Sequence, residues 1–278
     1  MSEINWALEI FEKYGIKTQI DNNNQIIIAN YNQPKGTTFK ELGIDENELI
    51  KNVIACAGVF DTRKSELTTF PLTASREIRL YDDTKITEMP NLKAVGILVC
   101  NKTLKKLPKL KTAGSISLEN SPIKSLSKLK EAGILIAQNS ELKDLSSLEK
   151  VNKLCVIDCP LEDLKNLESA QDVFLCSSDE NKKIDVASLN KLEKVDKLFV
   201  ANSTLKALPK LKTAQKIALY NCEIKSIKSS INAEVEIGTK ITDEQLSDKF
   251  DTFTDWYNSD VLQQSMDLLG NIVNRIQG

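Results

Sequence analysis

The sequence predicts an α/β solenoid with one parallel β-sheet, short extended or 3₁₀ segments on the convex side, and helical caps at both ends. Three observations predict it. Apolar residues recur every nineteen positions, an Asn, Asp or Ser follows each apolar pair at a fixed distance, and both chain ends fall out of the period. Self-similarity at a short fixed period marks stacked units, each too small to bury its own apolar face.

Residues 1–45 form the predicted N-terminal cap. Ile4, Leu8 and Phe11 share one helical face, with Trp6 and Ile10 beside them, so 3–14 reads as an amphipathic helix ending near Gly15. Two β-prone runs, Ile16–Ile20 and Gln25–Tyr31, flank an Asp-Asn-Asn-Asn turn and predict a hairpin. Pro34 and Gly36 then break the chain. Thr38 to Lys51 reads as a short helical segment, with Asp45 the N-cap of Glu46–Lys51.

Residues 46–241 hold the repeats, about eight to nine coils, of which Val59 to Phe70 is a degenerate first one. One row runs Ile78, Ile97, Ile116, Leu135, Leu154, Val173; a second runs Leu80, Val99, Leu118, Ala137, Val156, Leu175. A third runs Asp82, Asn101, Asn120, Asn139, Asp158, Ser177. One step of twenty-five leads to Leu198, Val200 and Asn202, and nineteen more to Ile217, Leu219 and Asn221. The first two rows alternate, so both point inward from a short strand. The Asn follows where the chain turns; a buried Asn there satisfies backbone groups, and its stacked copies make a ladder.

Ile123, Leu126 and Leu110 close the core from the far side. Too few residues remain for a helix of several turns, which predicts extended or 3₁₀ convex segments. Pro90, Pro108 and Pro209 recur there at one phase, where a missing N–H does no harm. The long step holds the polar insertion Ser178–Lys183, which maps to a loop on one edge.

Residues 242–278 form the predicted C-terminal helical cap. Thr242-Asp-Glu-Gln245 is a capping-box signature. In 259–277 the residues Leu262, Met266, Leu269, Val273 and Ile276 make a single apolar seam. A cap over the open core of the last coil is one use for it, and a partner-helix or coiled-coil surface is the alternative. Gly270 weighs against a long independent coiled coil.

The cleanest coils read PKLKTAGSISLENSPIKSL at 108–126 and PKLKTAQKIALYNCEIKSI at 209–227. This pattern resembles the leucine-rich-repeat family, of the short-period bacterial kind, over roughly two-thirds of the chain. Ala113, Ile116, Leu118, Asn120 and Ile123 stand at the family's signature places, with two departures: the Asn sits one position early, and the repeat is one residue shorter than the usual lower bound. A parallel β-helix is the competing solenoid. The resemblance implies a protein-recognition module that binds through a concave parallel sheet.

Composition bounds the chemistry. Net charge is −2 with acids and lysines interspersed, so no basic stripe points to nucleic acid. There is no histidine, which removes Ser-His-Asp and Cys-His catalysis and histidine metal ligands. Six scattered cysteines outline no disulfide framework and read as reduced thiols. Asn101-Lys-Thr and Asn202-Ser-Thr match glycosylation sequons, but both asparagines belong to the structural row. The first fifteen residues lack signal-peptide character and no apolar run approaches a membrane span. The expectation is therefore a cytoplasmic, non-enzymatic protein with no cofactor, metal, nucleic acid or membrane partner; export without such a signal is the alternative location.

Residues alternating with the inward rows should line the outer face of the sheet. Tyr81, Leu98, Ile134, Ile136, Ile157, Phe174, Phe199 and Tyr220 make that face apolar in neighbouring coils, about 4.8 Å apart. Such a patch predicts binding of a protein partner. Cover by the N-terminal residues, or homo-oligomerisation through the sheet face or the C-terminal helix, is the alternative use.

Overall fold

A computed structural model of the 278-residue chain describes residues 3–178, 184–186, 189–205, 207–222, 226–227 and 233–238. The insertion at 179–183 and the C-terminal residues 239–278, with their expected capping box and apolar seam, lie outside the described residues.

Within that range the chain is a parallel-sheet β-solenoid of about nine turns with few helices. It begins with helix α1 (Glu3–Lys13), a hairpin of β1 (Thr18–Ile20) and β2 (Ile26–Ile28), and helix α2 (Glu46–Ile50). The strands β3 (Val53–Asp61), β4 (Ala74–Arg79), β5 (Ala94–Val99), β6 (Thr112–Ser117), β7 (Glu131–Gln138) and β8 (Lys150–Ile157) follow. Then come β9 (Ser169–Cys176), β10 (Lys197–Ser203), β11 (Ala207–Leu208), β12 (Lys216–Cys222), β13 (Ser226–Ile227) and β14 (Glu234–Gly238). Twelve of these strands form one sheet in sequence order, β1 to β10, then β12, then β14; β11 and β13 pair separately on the far side. Only the β1–β2 pair is antiparallel.

The N-terminal elements match the expectation in position and differ in use. Asp45 caps α2, its Oδ1 accepting from the N–H of Asn47 and of Glu48 at 2.9 and 3.4 Å. The hairpin extends the sheet at its edge through the β2–β3 pairing, so it does not lie over the face of the later strands. Ala7 and Phe11 of α1 join the continuous core with Ile26, Ile28 and Leu49.

Glu46 stands beneath this end, 2% exposed. Its Oε2 accepts from Tyr31 Oη at 2.6 Å, Ser65 Oγ at 2.6 Å and Gln33 Nε2 at 3.1 Å, and its Oε1 from the Glu66 N–H at 3.2 Å. A buried carboxylate persists only when its lone pairs are filled in this way. Burial, then the adjacent Glu46 charge, holds the Tyr31 phenol well above its ordinary pKa.

Each coil runs strand, turn, extended segment, turn. The inward residues stack in register, Ile78, Leu98, Ile116, Leu135, Leu154, Val173, Leu198 and Ile217. On the far side a β-turn recurs, with the Leu110 N–H bonded to Leu107 O, Leu129 to Leu126, Leu148 to Leu145 and Leu167 to Leu164. All eight leucines are buried. Among the described residues no convex segment is 3₁₀; they are extended between turns, as the short period requires. Pro90, Pro108 and Pro209 each follow the first residue of such a turn, where the fixed φ of proline suits the corner.

The Asn row needs correction. Asn120, Asn139, Asp158, Asn202 and Asn221 have φ of 51°, 49°, 51°, 50° and 49°, and the side chains of Asn120 and Asn139 are exposed. These residues are selected because Asn and Asp tolerate the left-handed region, and that corner swings the next side chain inward. The inward ladder is therefore the small residue that follows: Ser121, Ser140, Cys159 and Ser203 are all at most 5% exposed. Ser140 Oγ lies 3.2 Å from Cys159 Sγ, and Ser203 Oγ accepts from the Leu205 N–H at 3.0 Å. Among the described residues the expected buried Asn holds in part, at Asn101, whose Nδ2 donates to Tyr81 O at 2.7 Å, and at Asn202, whose Nδ2 donates to Ser177 O at 2.7 Å and whose Oδ1 accepts from Asn221 Nδ2 at 2.8 Å.

Candidate functional site

Outside the main core the described residues hold one more buried apolar cluster: Cys155, Ile157, Phe174, Cys176, Phe199, Ala201, Ala218 and Tyr220, with Ile136 packed at its border. It lies on the sheet face opposite the main core, across β7, β8, β9, β10 and β12. Two registers build it. Ile136, Cys155, Phe174, Phe199 and Ala218 pair in one line, and Ile157, Cys176, Ala201 and Tyr220 in the next. The cause is the period of two in a strand: every residue between two inward leucines must point outward.

The centre is aromatic. Phe174 and Phe199 stack with centroids 4.4 Å apart and planes at 12°, and Tyr220 follows at 5.9 Å from Phe199. Parallel pairing at the spacing of neighbouring strands brings like side chains face to face. Tyr220 Oη donates to Glu236 of β14. Burial, then that bond, pushes the Tyr220 phenol up to about 12.

A third register borders the cluster with Ile134, Lys153, Asp172, Lys197 and Lys216. Lys153 is only 6% exposed and its Nζ lies 3.6 Å from Asp172 Oδ2. Cys155 and Cys176 are wholly buried, and burial raises both thiols, that of Cys176 to about 12. Thiols held this far from ionisation are poor nucleophiles. All six cysteines are free, and Cys155 faces the outer cluster while Cys159 faces the main core. Among the described residues no cluster of three or more Cys, Asp or Glu is placed to hold a metal ion, and no helix is long and apolar enough to cross a membrane.

Five of the eight residues expected on this face meet in the cluster: Ile136, Ile157, Phe174, Phe199 and Tyr220. Ile134 lies in the bordering register, 2% exposed. Leu98 does not reach the face. The register Ile78–Leu98–Ile116 places it in the main core at 0% exposure, and Ile97 and Val99 take the outward places. The step is twenty residues before Leu98 and eighteen after it, so a strict nineteen-residue count slips by one there.

Tyr81 sits past the end of β4, in a polar corner near the N-terminal end. Arg63 lies over its ring at 5.0 Å and donates from Nη2 to its Oη at 2.8 Å, and Tyr81 Oη reaches Asp61 Oδ2 at 3.2 Å. Sequence reasoning passed over Cys155, Cys176, Ala201 and Ala218 as site residues because they are small. Their signal was register, which places them between the aromatics.

Comparison with models of known protein families gives no match to this sequence, and comparison with curated proteins gives none.

Proposed function

We propose that this chain is a non-enzymatic recognition module of the leucine-rich-repeat type, which binds a protein partner through the outer face of its sheet. The supporting observation is the outer cluster centred on the Phe174–Phe199 stack. A sheet face that only met water would carry polar residues, whereas stacked aromatics among small apolar side chains are the kind of residues that anchor an interface. The raised cysteine thiols and the lack of histidine support the non-enzymatic reading. Affinity capture with the wild-type chain and with Phe174→Asp/Phe199→Asp tests it. Wild type should enrich a protein that the variant does not, at a temperature where circular dichroism shows both chains folded; equal enrichment by both would sink the proposal.

A second reading, self-association, is favoured by one observation. Among the described residues β14 is the last strand of the sheet, and its Val235 and Ile237 are 45% and 65% exposed. A terminal strand with exposed apolar residues invites another strand. Light scattering over a concentration series separates the two: a monomer at every concentration contradicts assembly.

A further inference from the structure

The outer face is apolar along one register, yet its exposure is uneven. Val99 of β5 is 51% exposed, whereas in the same register Phe174 is 4%, Phe199 8% and Cys155 0% exposed. Val99 lies between Arg79 and Ser117, and Phe174 between Cys155 and Phe199, but lateral neighbours in a sheet cover only the sides of a residue and leave its outward end in water. Among the described residues the main contacts of these strands are with adjacent strands, and α1 packs with α2 and β1. The opposite contrast holds at the end of the solenoid. Val235 and Ile237 continue the inward rows of Ile217 and Leu219, and a cap over the last coil would bury them, but they are exposed.

We propose that residues 239–278 of the same chain occupy the outer face over β7–β12, and do not cap the core end. Three features commit the proposal to this occupant. The segment leaves directly from Gly238, which pairs with Tyr220 at the border of the cluster. It is forty residues long and its sequence carries the seam of Leu262, Met266, Leu269, Val273 and Ile276, an apolar surface matched in kind to the cluster. It has seven acidic against three basic residues, and the register bordering the cluster carries three lysines, Lys153, Lys197 and Lys216, against one acid, Asp172; Lys153 faces Asp172 and Lys216 faces Glu234. The segment thus holds the partner-binding face in an intramolecular contact that a partner must displace, a consequence that rests on the function proposed above; the contact itself does not.

Native maleimide labelling of the 278-residue chain, read site by site by peptide mass spectrometry, tests the contact. Cys155 and Cys176 report the outer face, while Cys100 and Cys159 in the main core serve as controls. Cys155 and Cys176 should be protected equally at low and high protein concentration. Leu262→Asp/Leu269→Asp should speed their labelling by about tenfold or more and leave Cys100 and Cys159 unchanged. Trp256 supplies a second measurement in a Trp6→Phe chain, where it is the sole tryptophan. Its emission should shift to the red on adding Phe199→Ala. Rapid labelling of both thiols in the wild type, protection lost on dilution (a second copy as the cover), or protection and emission indifferent to these substitutions would each overturn the proposal. Thiols freed by the Asp variants in a chain that still captures no partner would leave the contact standing and remove the recognition function.

Discussion

Phe174→Ala in the 278-residue chain is expected to cost about 3–4 kcal/mol of stability, within the range for truncating a buried Phe. Phe174 is 4% exposed, so nearly all of its side chain is out of water, and it stacks on Phe199 at 4.4 Å. A buried Phe withdraws at least about 150 Å², which at about 25 cal/mol per Å² is close to 4 kcal/mol before any cavity cost. On an uncovered sheet the same ring would keep only its cross-strand contacts, worth about 0.2–1 kcal/mol. The two limits are far enough apart to decide between them. Leu154→Ala, in the main core at 0% exposure, calibrates the measurement and should cost about 3 kcal/mol. The assay is urea unfolding followed by circular dichroism, with the denaturant slope checked for constancy. A loss below about 1 kcal/mol for Phe174→Ala, beside a full loss for Leu154→Ala, would refute the claim that this face is buried.

Other predictions follow from the same geometry. Glu46→Ala should cost about 3 kcal/mol, because it orphans the buried hydroxyls of Tyr31 and Ser65, while Glu46→Gln keeps an acceptor for both and should cost about 1 kcal/mol by the same urea assay. Gly133→Ala would set a Cβ 2.5 Å from Gly114 O, a backbone atom in the neighbouring strand, so thermal unfolding should show a loss of about 1–3 kcal/mol. Asn139→Gly should leave the melting temperature within a few degrees of wild type, whereas Asn139→Val should lower it clearly, since φ is 49° there. Stability should fall as pH rises above about 9, the ordinary thiol range. Burial raises Cys56 to about 11 and Cys176 to about 12 in the folded chain, so the unfolded chain loses these protons first and alkali favours it. A melting temperature flat from neutral pH to beyond that range would contradict the burial of these thiols.

The period made the solenoid legible because Ile116, Leu135 and Leu154 must stack for any coil to close, and stacking in register forces equal spacing. It misled at Leu98, where the coil lengthens on one side and shortens on the other and only the strand pairing shows the shift. The Asn row was visible, but its cause was not. A left-handed corner and a buried side chain both select Asn, and Asn202, with φ of 50° and 6% exposure, has both. The consequence, that Ser121, Ser140 and Cys159 form the inward ladder, follows from the corner.

Alternation carried most of the outer cluster, since Ile136, Phe174 and Phe199 sit between inward residues. What it could not carry was exposure. A strand with apolar residues on both faces reads the same whether the second face meets water, a partner or another part of the chain. Glu46 was hidden for a related reason: at the start of a short helix it looks solvated, and its partners Tyr31 and Ser65 lie fifteen and nineteen residues away.

The central claim is that the outer cluster is a partner-binding face held by residues 239–278. Affinity capture run in parallel with the wild-type chain, the Leu262→Asp/Leu269→Asp chain and the Phe174→Asp/Phe199→Asp chain tests it most directly. The same protein should be recovered weakly by the first, more strongly by the second and not at all by the third. Equal recovery by all three chains would contradict it.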